Sequence, residues 1–309
     1  MMAGASSSVR KDIGCGRTAQ APLGSPPRSS AVPVSARITL RMALRSELTR
    51  MHRSPLIPLH LVLALALGGL AGAYFGTTPW DPQLSCDAFF QLLGAGAPLL
   101  VGLSCGLAID AEREAGGCVN LLGAPSRRRA LAAKGIVLLA MGAAAAALAS
   151  AVFCGLMAAC GRSLPGFIVL MRAVFGIVAG SAVLYALSLV VALKWGRNAS
   201  IGLGTIGLMV ALASIGGLMN GLVTGTLSGA MPAGVLAFVP FSWPCKLASL
   251  CIELAIAGSG VIAGSAAQVP VIVGSLGTVA SACAIVTAAS IAAGLAFVNR
   301  FEDVRRSED

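Results

Sequence analysis

Residues 56–76 read LIPLHLVLALALGGLAGAYFG and contain no Asp, Glu, Lys or Arg. A helix needs about 20 apolar residues to cross the hydrocarbon core of a bilayer, so this stretch is long enough for one crossing. Similarly apolar stretches follow along the chain, at residues 88–109, 135–159, 167–193, 200–222 and 271–298. The sequence therefore predicts an all-α polytopic membrane protein with about six transmembrane helices.

The composition excludes an ordinary soluble protein. Of the 309 residues, 57% are hydrophobic and only 11% are charged, and the mean hydropathy is +0.87. A soluble globular domain carries roughly 25% charged residues. This chain has too few charged residues to cover its surface in water. The bilayer must therefore solvate much of that surface.

The positions of the basic residues predict the orientation. Of the 22 Lys and Arg residues, 19 lie before residue 54, between 110 and 134, at 194–197 or after 298. The segments that alternate with these contain only Arg162, Arg172 and Lys246. Basic loops stay in the cytoplasm, so this split places both termini inside. The net charge of +10 then reflects topology, and we expect no nucleic acid partner.

The ends of the chain differ in character from its middle. An Ala, Ser, Gly and Pro-rich beginning predicts a disordered tail, and the next stretch predicts an amphipathic helix lying on the membrane surface. That helix has an apolar face of Leu40, Leu44, Leu48 and Met51 beside a stripe of Arg37, Arg41 and Arg45. The predicted organisation is a tail at 1–36, an interfacial helix at 37–53, a six-helix transmembrane domain at 54–300 and a cytoplasmic tail at 301–309.

One stretch inside the transmembrane domain resists assignment to a crossing. The first half of residues 223–269 is rich in Gly, Pro and hydroxyl residues, and the second half carries Glu253. We predict a re-entrant or outer-surface element there, since irregular backbone at membrane depth must be buried in protein or face water.

Small residues at a spacing of four predict the faces on which helices pack. Such spacing lets two helices approach closely in a bilayer. The first two crossings show it at Gly68, Gly72, Gly76, Gly102 and Gly106. Chance in a Gly-rich chain is the alternative for any single pair.

Motifs for chemistry are absent from the sequence. It contains no G-x-x-x-x-G-K-[ST], so the chain cannot hydrolyse ATP alone, and no H-E-x-x-H, G-x-S-x-G or C-x-x-C. We therefore predict no catalytic, cofactor-binding or metal-ligating residues, and no enzyme. The predicted crossings also lack buried acids of the kind that ion-coupled carriers use, which favours a permease driven by a separate motor.

The loop between the second and third crossings, residues 110–134, begins acidic and ends basic. This order suits the dipole of a short helix that starts at Glu112 and Glu114. Leu121 and Leu122 give that helix an apolar end, and Pro125 stops it. A short amphipathic helix projecting from the membrane can dock in the groove of a soluble partner. An ordinary charged loop is the alternative.

At this loop the chain resembles the type-2 ABC transporter permeases. The shared pattern is an acidic pair, a Gly, a Leu-Leu pair, Pro-Ser-Arg and a Lys that opens the third crossing. It falls here on Glu112, Glu114, Gly116, Leu121, Leu122, Pro125, Ser126, Arg127 and Lys134. Gly116-Gly117 stands where the family usually has Gly-Thr.

Three further stretches resemble one branch of that family, the lantibiotic-immunity permeases of the MutG and EpiG kind. They are LRSELTRMHRSPLIPLH at 44–60, KWGRNASIGLG at 194–204 and VPFSWPCKL near the predicted outer face at 239–247. The resemblance covers roughly residues 42–305.

The resemblance implies a permease subunit of an ATP-binding cassette exporter in the bacterial cell membrane. Such a subunit pairs with a second, related permease and with a separate ATPase that holds ATP and Mg. It expels a lanthionine-containing peptide and so protects the producing cell, and residues 112–127 would form its ATPase-coupling loop. The alternatives are a type-2 ABC permease for a drug, a lipid or another peptide, and a secondary carrier that needs no motor.

Overall fold

The computed structural model describes residues 39–215, 222, 227, 234–260 and 264–301. The predicted tail at 1–36 and most of the one at 301–309 lie outside these residues. Within them the chain forms helices and no strands. The α-helices are α1 (Leu40–Met51), α2 (Leu56–Thr77), α3 (Pro82–Glu114), α4 (Val119–Leu122), α5 (Arg127–Ala159), α6 (Phe167–Trp195), α7 (Arg197–Ser214), α8 (Trp243–Ser259) and α9 (Val269–Arg300). Short 3-10 turns occupy Val235–Phe238, Pro240–Ser242 and Ser265–Gln268.

Six helical segments of the described chain are long and apolar enough to cross a membrane. They are Leu56–Thr77, Pro82–Glu114, Arg127–Ala159, Phe167–Trp195, Pro240–Ser259 and Ser265–Arg300. The predicted all-α polytopic fold is therefore confirmed. Pro240–Ser259 lies in the stretch that the sequence analysis did not assign to a crossing. The expected crossing at 200–222 is only partly within the described residues, which give α7 up to Ser214.

Helix α7 lies along the C-terminal half of α3 and runs antiparallel to it. A methyl group added to Gly102 would lie 2.5 Å from the carbonyl oxygen of Ser200. One added to Gly106 would lie 3.1 Å from that of Arg197. Only the hydrogen of a glycine fits at these two positions. Gly102 and Gly106 therefore allow the backbones of α3 and α7 to approach closely.

Helix α8 continues along the N-terminal half of α3. A methyl group on Gly94 would lie 2.5 Å from the Cα atom of Cys245, and the Ser214 hydroxyl lies 3.6 Å from the Cys245 sulfur. The end of α7 thus meets the beginning of α8. Their 18 and 17 residues span about 27 and 26 Å, which together match the roughly 50 Å of α3 at 1.5 Å per residue.

We therefore interpret α7 and α8 as the two halves of one broken crossing. The turns at Val235–Phe238 and Pro240–Ser242 lead into α8. Ala237 and Ser242 are buried, whereas Val235 and Phe238 are 85% and 49% exposed. Irregular backbone at membrane depth is tolerated where it is buried in protein or faces water. The sequence analysis placed VPFSWPCKL near the outer face, and this is wrong. Trp243 is 1% exposed and donates its indole N–H to the Ala237 carbonyl oxygen at 3.1 Å, half-way along α3.

Helices α2 and α5 pack face to face in parallel. A methyl group on Gly68 would lie 2.4 Å from the carbonyl oxygen of Ala149, and one on Gly76 would lie 2.8 Å from the sulfur of Cys160. Gly72 lies between these two contacts on the same face. The spacing of four seen in the sequence therefore forms a continuous contact along α2. Residues 217 and 221, which show the same spacing, lie outside the described residues.

Aromatic side chains fill the core on the side of the bundle away from the α3–α5 connection. The rings of Phe89 and Phe153 stack with their centroids 4.0 Å apart, and Phe75 meets Phe153 edge to face. All three side chains are buried. This packing joins α2, α3 and α5.

One end of the bundle carries most of the described basic residues, and we call it the basic end. Here the Arg113 guanidinium donates to the Leu193 carbonyl oxygen at 2.5 Å and joins the ends of α3 and α6. The Arg127 guanidinium donates to the Phe301 carbonyl oxygen at 2.9 Å and joins the start of α5 to the end of α9. Helix α1 and the α3–α5 connection also lie at this end.

Candidate functional site

A buried ion cluster joins three helices at the basic end. The Lys134 ammonium on α5 donates to Oε2 of Glu47 on α1 at 2.9 Å and to Oε1 of Glu112 on α3 at 3.0 Å. The three residues are between 4% and 6% exposed. Arg50 of α1 also pairs with Glu112. Because an unpaired buried charge is costly, these partners hold α1, α3 and α5 in one arrangement.

Helix α1 therefore docks on the bundle through an acid. Glu47 points inward, while Leu40 and Leu48 are 40% and 58% exposed on the same helix. Arg41 and Arg45 are exposed as well. The helix thus offers both apolar and basic groups to its surroundings, which is the pattern of a helix on a membrane surface.

The two acids of the α3–α5 connection lie in the last turn of α3. The sequence analysis had Glu112 and Glu114 starting a new helix, and this is wrong. The helix ends beyond them, where Gly116 and Gly117 adopt φ values of 142° and 64°. The Gly117 N–H donates to the Arg113 carbonyl oxygen at 2.7 Å, which caps the helix end. Glycine tolerates these positive φ angles, so the pair terminates α3.

The apolar pair of the connection faces its own chain. Leu121 is 1% exposed and belongs to the core at the basic end, and Leu122 packs against that core. We expected both leucines to fill a partner's groove. Leu121 does not fit this expectation, because its side chain is already buried in the core of its own chain. The α4 helix is only four residues long, and the exposed Pro125 follows it. Arg127 then donates to the Leu122 carbonyl oxygen at 2.7 Å and fixes the connection.

An open groove remains between α1 and the connection. Its volume is about 420 Å³, and both elements contribute to its walls. The ion cluster forms part of its floor through Glu47 and Arg50. We call it the α1–loop groove, and its other walls include Met42, Ala43, Ser46, Asn120, Gly123 and Ala124.

A family model described as ABC-2 family transporter protein matches residues 43–214. This match spans more than half of the chain, from α1 through the connection to the end of α7. The chain belongs to the ABC-2 transporter family. This permease is therefore a multi-pass membrane component of an ABC transporter, and its family implies an ABC ATPase subunit as partner. No curated protein and no solved structure matches it.

The permease also contains two buried acids, Asp87, which the sequence analysis did not single out, and Glu253, which it left in the unassigned stretch. Asp87 is 7% exposed and Glu253 is 0% exposed, between α3 and α8. Asp87 accepts hydrogen bonds from the Ser249 hydroxyl and the Gln91 amide, both at 2.7 Å. The prediction that the crossings lack buried acids is therefore wrong. Asp87 escaped it because α3 begins six residues before the predicted crossing at 88–109 and so includes Asp87. Within the described residues, no three His, Cys, Asp or Glu side chains form a group that could hold a metal.

The preference for a motor-driven permease over a secondary carrier therefore rests on membership of the ABC-2 family. The absence of buried acids no longer supports it. Asp87 and Gln91 are four residues apart and share a helix face, which is the sequence signal that points to this buried cluster. The partners on α8 gave no such signal, because residues 223–269 were not assigned to a helix.

Proposed function

We propose that this permease expels a lanthionine-containing antimicrobial peptide from the bacterial cell membrane to the outside and so protects its host. It forms half of the pathway beside a second, related permease, in a heterodimer. ATP and Mg bind on the separate ATPase subunit, which supplies the energy. The basic end faces the cytoplasm, as the positive-inside rule requires.

The α1–loop groove, backed by the ion cluster, is the observation that carries the coupling part of this proposal. A soluble ATPase can reach only the cytoplasmic face, and the groove lies at the basic end. Lys134 links the groove's floor to α3 and α5 through bonds of 2.9 and 3.0 Å. A movement of the ATPase against the groove is therefore passed to three helices together.

The connection between α6 and α7, also at the basic end, offers no comparable surface. Helices α6 and α7 are separated by Gly196 alone, which has a φ of 93°. One residue provides no element that projects toward a partner. The residues from Glu112 to Arg127, together with α1, are thus the best docking face for the ATPase.

The proposed substrate rests on the three stretches that resemble the lantibiotic-immunity branch. All three lie within the described residues. The stretch at 44–60 covers most of α1 with the start of α2, 194–204 joins α6 to α7, and 239–247 opens α8 at the broken crossing. At the break, the Ser242 hydroxyl and the Trp243 indole N–H donate to the carbonyl oxygens of Leu236 and Ala237. A peptide taken from the membrane would meet this polar turn.

A tolerance assay tests the substrate. The permease, the second permease and the ATPase are expressed together in a bacterium that is sensitive to lanthionine peptides. We expect the tolerated concentration of a lanthionine peptide to rise, with no change for a linear cationic peptide or for a hydrophobic drug. Protection against the drug alone would instead identify a type-2 ABC permease for another substrate.

A second arm of the assay tests the motor. The same strain carries an ATPase whose Walker lysine is replaced by alanine, which removes the group that holds the nucleotide phosphates. We expect protection to disappear. Protection that survives this change would contradict ATP-driven export and support a secondary carrier.

A further inference from the structure

A cavity of about 320 Å³ lies inside the permease, between α2, α3, α5 and α6. Its walls are almost entirely apolar, as at Leu93, Ala149 and Ile177. It opens between α2 and α3, where Leu67 is 48% exposed. Sites for small ligands have volumes of about 300–1,000 Å³ and apolar walls with a few placed polar groups.

Two of the three polar side chains that line the cavity, His60 and Tyr185, lie toward the basic end, and the third, Ser181, is one turn of α6 further away and donates to the Ile177 carbonyl oxygen at 2.7 Å. His60 bonds through Nδ1 to the Leu56 carbonyl oxygen at 2.8 Å and through Nε2 to the Ser104 hydroxyl at 3.2 Å. This histidine lines the cavity, and both of its ring nitrogens already have partners inside the protein.

Tyr185 is different, because its hydroxyl is without a partner among the residues that the structure describes. The side chain is 4% exposed and lines the cavity. Its hydroxyl fits against Gly142, where an added methyl group would lie 2.4 Å from the oxygen. Buried tyrosine hydroxyls usually find a hydrogen-bond partner. The Tyr185 hydroxyl is therefore available to donate to a ligand in the cavity that brings an acceptor.

The depth of His60 and Tyr185 identifies the kind of ligand. His60 lies four residues into α2, which is about 6 Å from the helix start at the basic end. The apolar part of the cavity extends to Leu67, about 10 Å further toward the middle of the bundle. A lipid of the leaflet at the basic end has the same order, with carbonyl groups near the interface and a chain that points to the bilayer centre.

We propose that this cavity binds the acyl chain of a membrane lipid, and that the Tyr185 hydroxyl donates to its carbonyl oxygen. The chain enters from the bilayer through the opening between α2 and α3. The site is separate from the α1–loop groove, and it does not rest on the proposed export function. It needs neither ATPase nor peptide to be occupied.

Photocrosslinking of the full chain tests the proposal. The purified permease is placed in nanodiscs of phosphatidylglycerol and phosphatidylethanolamine with a trace of phosphatidylglycerol that carries a diazirine within one acyl chain. After irradiation, mass spectrometry maps the adducts. We expect adducts at Ala97, Ala146 and Ile177, which line the cavity. Adducts only at lipid-facing positions such as Leu70, which is 74% exposed, would overturn the proposal.

Two glycine variants separate the cavity from the general membrane surface. Gly96 lines the cavity and has no atom within 4 Å of an added methyl group, so the Cβ of Gly96→Leu meets no clash and the larger side chain takes up space in the cavity. Gly69 on α2 is equally unobstructed but lies away from the cavity, so Gly69→Leu is the matched control. We expect cavity adducts to fall only in Gly96→Leu. An equal fall in both variants, or in neither, would contradict a lipid site here.

The variant Tyr185→Phe tests the hydrogen bond. It keeps the volume of the ring and removes the donor, so we expect about fivefold weaker cavity labelling, the factor that one hydrogen bond of about 1 kcal/mol provides. Unchanged labelling, with the same elution and thermal midpoint, would show that Tyr185 has no part in binding. Displacement of the lipid label by a lanthionine peptide would overturn the proposal in favour of a peptide site.

Discussion

The Lys134 ammonium lies 3.0 Å from Oε1 of Glu112, with side chains only 5% and 6% exposed. These residues stand 22 positions apart at the two ends of the α3–α5 connection. The acid and the lysine of the family pattern are therefore each other's partners, inside the protein. They hold the connection and α1 on the bundle, and the surface they support is the one that we propose as the ATPase docking face.

Removal of the lysine should destabilise the permease. Lys134→Met leaves Glu47 and Glu112 with fewer counter-charges in a buried site, and the loss of one partner of a buried pair costs about 3–5 kcal/mol. We expect a clearly lower thermal midpoint in detergent. The control is Arg197→Met, which breaks the more exposed pair with Asp110 and should cost at most about 1 kcal/mol. Equal midpoints for the two variants would show that the buried cluster does not stabilise the fold.

The contact between α2 and α5 predicts a contrast between neighbouring glycines. Gly68→Ala places a methyl group 2.4 Å from the Ala149 carbonyl oxygen and should cost about 1–3 kcal/mol, as overpacking does. Gly69→Ala meets no atom within 4 Å and should be neutral or stabilising. Thermal unfolding of both variants measures the difference. A Gly68→Ala protein as stable as Gly69→Ala would refute the close packing of α2 on α5.

Cysteine labelling in intact cells tests the orientation. Cys160 is exposed at the end of the bundle opposite the basic end, so a membrane-impermeant maleimide should label it from outside. In a Cys160→Ser background, Arg128→Cys places an exposed thiol at the basic end, where labelling should need permeabilised cells. External labelling of the second variant would reverse the proposed topology.

Hydrophobic length and charge predicted the membrane class because both depend on the solvent around the chain and need no tertiary contact. The apolar stretch at 56–76 became α2 within one residue of its expected end. The glycine spacing also placed Gly68, Gly72 and Gly76 on one face correctly. The geometry of a single helix decides which residues share a face, so no tertiary contact was needed.

Features that depend on contacts between distant helices were not predictable. Glu253 argued against a crossing, yet its side chain on α8 is 0% exposed in the folded chain. The broken crossing depends on how α7 and α8 share the length of α3. Leu121 reads as an exposed anchor from the loop sequence, and only the packing at the basic end shows that its side chain is already enclosed.

The central claim is that the ATPase docks in the α1–loop groove, and co-purification tests it most directly. Ala124→Trp fills the groove, and Thr49→Trp adds the same side chain to an exposed position of α1 outside it. Loss of a buried interface anchor costs about 2 kcal/mol, which is about 30-fold in affinity. We predict that Ala124→Trp inserts normally but retains roughly that much less ATPase, while Thr49→Trp retains the wild-type amount. Normal ATPase binding by a correctly inserted Ala124→Trp permease would contradict the account.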